Sequence, residues 1–153
     1  MATGRHGDWA EKLTLASLAL GVLHHVDHAL RVDHSGWPFR PDVTPYTYSL
    51  AAYPLLLFAL LAARASDWWR FAAVAVVALF TNLAHILFES PYHQFAMWAH
   101  NASADPAAAG TANMLDVASP ALGVAAVVVA MGLNLTLIGA AVAFFLRARR
   151  RSG

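Results

Sequence analysis

The chain contains no cysteine. Disulfides, thiolate zinc sites, iron–sulfur clusters and covalent c-type haem attachment are therefore excluded. Charge is scarce as well: 12% of the 153 residues are Asp, Glu, Lys or Arg, against about 25% in an ordinary soluble domain. The apolar runs 55–63, 71–80 and 124–131 show no polar/apolar alternation, which argues against strands of a membrane barrel. The polar residues 1–8 lead into a long first segment without a small-residue cleavage site, so that segment is expected to remain as an uncleaved span.

What is present is apolar surface. Hydrophobic residues make up 59% of the chain and the mean hydropathy is +0.51, which implies lipid as the surroundings. A helical span needs roughly 20 apolar residues, and four segments qualify, at about 9–32, 46–65, 69–89 and 113/120–146. The expectation is an all-α integral membrane protein, a single four-helix bundle formed by residues 1–153. In a four-span topology Arg5, Lys12, Arg64, Arg70, Arg147, Arg149, Arg150 and Arg151 share one side, and only Arg31 and Arg40 face the other. By the positive-inside rule both termini are cytoplasmic, in a membrane expected to be the plasma membrane. The arginine tail is read as topogenic, with membrane lipid rather than nucleic acid as its neighbour.

Polar residues inside the apolar spans are the functional signal. His24-His25-Val26-Asp27-His28 interrupts the first span, and Asn82, His85 and Glu89 interrupt the third. Residues three and four apart share a helix face, so His24, Asp27 and His28 form one stripe and Asn82, His85 and Glu89 another, at matching depth in the outer leaflet. An ionised carboxylate near the bilayer centre costs on the order of 2.5–3.5 kcal/mol on insertion scales, so these groups demand partners.

Imidazole with carboxylate is a ligand set for zinc or iron. The candidate metal ligands are His24, His25, His28, His85, Glu89 and Asp116, the last entering from the start of the fourth segment, with Asn82, Asn113 and Ser119 as supporting donors. Haem fits less well, because acids stand beside the histidines. Glu89 and Asp27 are the candidate catalytic carboxylates. The leading expectation is a metal-dependent membrane enzyme acting on an apolar or lipid-like small molecule. Alternatives are metal-free acid/base isomerisation and a metal- or proton-handling transporter or channel subunit. A metal-free polar knot is the structural rival, and Arg31, four residues from Asp27, is the rival to a metal there.

The remaining features read more simply. His34, His93 and His100 are taken as loop histidines, and Pro91 as the end of the third helix. Residues 92–111 are read as a loop rich in small residues. The stiff stretch 35–45, with Trp37 and Phe39, is expected to fold back as a lid or shelf. Asn134 and the small residues of the fourth span are assigned to helix packing or a homo-oligomer contact.

One local pattern has a known counterpart. The stretch Leu83-Ala84-His85-Ile86-Leu87-Phe88-Glu89-Ser90-Pro91-Tyr92 resembles, over those ten residues, the His-x-x-x-Glu membrane-helix pattern of the emopamil-binding, sterol-isomerase-like family. That resemblance implies an apolar substrate, with His85 and Glu89 moving protons at a double bond.

Overall fold

The computed structural model describes residues 7–31, 48–62, 64–106 and 109–153. Among them the regular elements are five helices: α1 (Gly7–Arg31), α2 (Ala52–Leu61), α3 (Asp67–Leu87), α4 (Pro91–Ala99) and α5 (Pro120–Ser152). Three of these, α1, α3 and α5, are long and apolar enough to cross a membrane. The stretch 35–45, His34 and Asp33 lie outside the described residues.

The second expected span is shorter than its hydropathy suggests. The helix of α2 has ten residues, a rise of about 15 Å where the hydrocarbon core is about 30 Å. It follows a turn at Leu50 and Ala51, and Pro54 sits in its first turn, where a missing N–H is least costly. At its other end Ala62 leaves helical geometry with ψ 63°. The guanidinium of Arg70 donates to the Ala59 carbonyl at 2.6 Å, supplying a partner to a last-turn acceptor.

Ion pairs define one end of the bundle. Glu11, near the start of α1, accepts from Arg70 of α3 at 2.7 Å and from Arg147 near the end of α5 at 2.8 Å. Asp67, the first residue of α3, accepts from Arg147 and Arg151. The starts of α1 and α3 and the end of α5 therefore meet at one end, here called the arginine end. His24, His28, Arg31, His85 and Glu89 meet at the other, the histidine end. α1 and α3 run in the same direction and α5 runs opposite to both, with α2 packed against α1 and α3.

Sequence punctuation accounts for the last two helices. Ser90 accepts from the His93 N–H and Pro91 occupies the first helical position, the pairing that starts a helix. The expected outer loop is thus helical in its first part, and Pro91 opens α4 instead of closing α3. Ser119 and Pro120 repeat the device for α5, so the fourth span begins at Pro120, not near Asn113, and continues past Leu146 to Ser152.

Small residues set the helix spacing. A Cβ at Gly132 or Gly139 would touch Leu20 or Leu13 of α1 at 3.4 and 3.3 Å. At Gly123 it would lie 2.8 Å from the Phe95 carbonyl oxygen of α4 and 2.9 Å from that ring. Backbone cannot yield there without moving α4. Gly123→Ala should therefore lower stability by about 1–3 kcal/mol, the usual cost of overpacking. A thermal-melting curve in detergent identical to the wild type would show that α4 is free to shift.

Candidate functional site

The positions 24, 28 and 31 of α1 fall on one helix face, and all three side chains are buried. α3 presents His85 to the same space, and Glu89 follows two residues after the helix ends. Glu89 is 0% exposed, so every one of its lone pairs must be met from within the protein.

They are met by residues from two helices. The Arg31 guanidinium pairs with Glu89 Oε1 on one side and with Asp27 Oδ2 on the other. Glu89 Oε2 lies 3.1 Å from His28 Nε2 and accepts from the Gln94 amide at 3.2 Å. The second oxygen of Asp27 accepts from the Trp98 indole N–H at 2.6 Å. Glu89 lies just beyond α3, where burial alone would push its carboxyl up. The Arg31 guanidinium and then His28 outweigh burial and hold it well below the usual carboxylate range.

A second chain of contacts runs through the imidazoles. The Asn134 amide nitrogen lies 3.0 Å from His85 Nδ1, and His85 Nε2 lies 3.1 Å from His24 Nε2. With the amide donating to Nδ1, neutral His85 carries its proton on Nε2 and donates it to His24. His24 then carries its own proton on Nδ1, an atom buried without a hydrogen-bond partner among the described residues. The His24 ring stands edge-on to both His28 and His85, each with centroids 4.9 Å apart.

A cavity of about 40 Å³ adjoins these rings, and a water needs roughly 10–15 Å³ by this measure. His24, His25, His28, Thr81 and His85 line its polar side, and Leu56, Val77, Leu133 and Leu137 its apolar side.

Several expected ligands are placed elsewhere. His25 turns toward α2, with Nδ1 2.6 Å from the Tyr53 hydroxyl and Nε2 2.7 Å from Ser49. Asp116 is exposed in a turn before α5, at φ +53°, and accepts from Asn101. Among the described residues no group of three or more His, Cys, Asp or Glu is arranged to hold a metal ion. The physical reason is Arg31: the carboxylates of Glu89 and Asp27 both turn to its guanidinium instead of to a common centre. Asn82 donates to the Ala78 carbonyl, Asn113 ties residues 97 and 117 together, and Ser119 caps α5. His93 belongs to the first turn of α4 and His100 is its C-cap.

No family model, curated protein or solved structure matches this chain. The ten-residue pattern from Leu83 to Tyr92 also differs from one regular helical turn, because α3 ends at Leu87 and the Glu89 N–H reaches back five residues to Ala84.

Sequence reasoning missed Gln94, Trp98, Asn134, Ser49 and Tyr53. Asn134 was the most findable, as a lone amide in a membrane helix. Gln94 and Trp98 were hidden because Ser90-Pro91 was read as a helix end, whereas their spacing of four becomes meaningful only on a helix.

Proposed function

We propose that this is a proton-handling membrane protein whose histidine-end cluster takes up and releases one proton within the bilayer. Charge carries the reading: Asp27 and Glu89 share one guanidinium, that of Arg31, so the buried cluster needs one further positive charge. The His28 imidazole, 3.1 Å from Glu89, is the group placed to carry it. Imidazole accepts a proton at one ring nitrogen and releases it from the other, and His24 and His85 extend the set of rings that share it. The excess of arginine at the opposite end supports a reading with that end cytoplasmic and the cluster on the other side of the membrane.

The geometry favours this over isomerisation of a sterol-like substrate. Both Glu89 oxygens are engaged, so Glu89 would have to leave Arg31 before it could act as a base.

A second reading keeps a transition metal, zinc or iron, and with it a metal-dependent enzyme. It is favoured by the 3.1 Å between His24 and His85 Nε2, near the roughly 3.3 Å expected for two imidazoles on one tetrahedral zinc with bonds of about 2.0–2.1 Å. A third ligand would have to come from His28 or from Glu89 after release from Arg31.

Nitrogen-15 NMR of histidine-labelled protein in detergent tests the first reading. His24, His28 and His85 should shift together with pH as one shared proton, and Glu89→Gln should abolish that proton by removing the unbalanced negative charge. Rings that titrate independently, or that ignore the Glu89 substitution, contradict it. Stoichiometric metal in the native protein, lost in His85→Ala, would instead carry the second reading.

A further inference from the structure

The buried positions of α1 after Gly7 recur at 10, 14, 17, 21, 24, 28 and 31, alternating steps of four and three that trace one stripe along the helix. Beyond Ala10 that stripe reads Thr14, Ser17, Gly21, His24, His28 and Arg31, without a single large apolar side chain. The apolar residues Leu15, Val22, Leu23 and Val26 are instead exposed on the outside. The stripe from Thr14 to Arg31 rises about 26 Å, close to the hydrocarbon thickness of about 30 Å.

Its middle is open space. The cavity beside the histidines continues past Gly21 to Ser17, and a Cβ at Gly21 would meet no atom within 4 Å. At its lower end the Ser17 hydroxyl lies 3.0 Å from the Thr136 hydroxyl, which donates to the Leu133 carbonyl. One turn further, Thr14 is fully buried, with its hydroxyl on the Ala10 carbonyl at 2.7 Å. Three residues before Thr14, beside the stripe, stands Glu11, within the ion pairs of the arginine end. Leu137 is both part of the cavity wall and part of the apolar core around Ala10.

We infer that this stripe is a proton route from the histidine cluster to the arginine end, with the cavity as its open length and the level of Thr14, beyond the cavity, as its closed section. The inference rests on the proton-handling reading of the cluster. Hydroxyls suit the task because each both donates and accepts, and Thr14 and Ser17 lie three residues apart on one face of α1. Each proton entering at one end is matched by one leaving at the other, so the chemistry needs no oxidant or other reactant. The competing account is packing alone, in which Thr14 and Ser17 merely satisfy carbonyls of their own helix.

Full-length protein in liposomes holding a pH-sensitive dye separates the two. With a potassium diffusion potential, wild-type vesicles should acidify faster than protein-free vesicles. Gly21→Leu, which fills the open space, should return the rate to that of protein-free vesicles while the histidine NMR titration persists. Leu137→Ala, which removes the cavity wall facing the core around Ala10, should raise the rate above wild type. Wild-type vesicles no faster than protein-free ones, with the three histidines still titrating as one unit, would overturn the route and leave the cluster reading intact. Gly21→Leu as fast as wild type would also overturn it. Histidines that do not share a proton would remove the cluster reading, and the route with it.

Discussion

Arg31→Met should destabilise the folded protein by about 3–5 kcal/mol, the range for removing one partner of a buried ion pair. Two carboxylates depend on that guanidinium, and Glu89 is wholly buried. Methionine has comparable length and fills most of the space, so the loss reports charge more than volume. The double variant Arg31→Met with Glu89→Gln should recover a large part of it, because the amide needs no counter-charge and can keep the Gln94 neighbour. Thermal unfolding in a mild detergent, followed by a tryptophan signal, reads both. A single variant as stable as wild type would mean that protons, taken up by the carboxylates, neutralise the cluster without Arg31.

Phe144→Ala should be comparably damaging, by about 3–5 kcal/mol for a buried Phe truncated to Ala. The ring is 0% exposed, and the guanidinium groups of Arg70 and Arg147 lie 4.7 and 4.8 Å from its centroid. In a membrane protein the loss comes from packing and cavity formation more than from transfer out of water, since lipid is itself apolar. Cation–π attraction adds roughly 0.5–2 kcal/mol for a desolvated pair. Phe144→Leu separates the contributions: it restores most of the volume and none of the ring, so it should recover the packing part alone. Equal melting temperatures for the Leu variant and the wild type would show that the two arginines gain nothing from the ring and are held by Glu11 and Asp67.

Much of the site was legible before any coordinates. The spacing of His24 with His28, and of His85 with Glu89, called for a meeting across helices, and Arg31 was visible as a rival for Asp27. Both follow from helix periodicity and from the cost of burying charge, which are local rules. The expectation that Asp116 and His25 join the site depended on where loops and neighbouring helices stand, which no local rule gives. Asp116 lies before α5 because Ser119 and Pro120 start that helix later than the apolar pattern alone suggests. His25 is a quarter-turn from the stripe, and α2 happens to offer it Tyr53 and Ser49.

The long apolar helices and the stripe of His24, Asp27 and His28 on α1 were determined by the sequence itself. Hydropathy and a period near 3.6 residues are enough to specify them. Only the tertiary structure decided what the polar residues of that stripe meet. It aligned the starts of α1 and α3 with the end of α5 through Glu11 and Asp67, and it turned the carboxylates of Asp27 and Glu89 toward the one guanidinium of Arg31. In a medium without water each charge takes whichever opposite charge the packing brings nearest, and that choice belongs to the arrangement of all five helices.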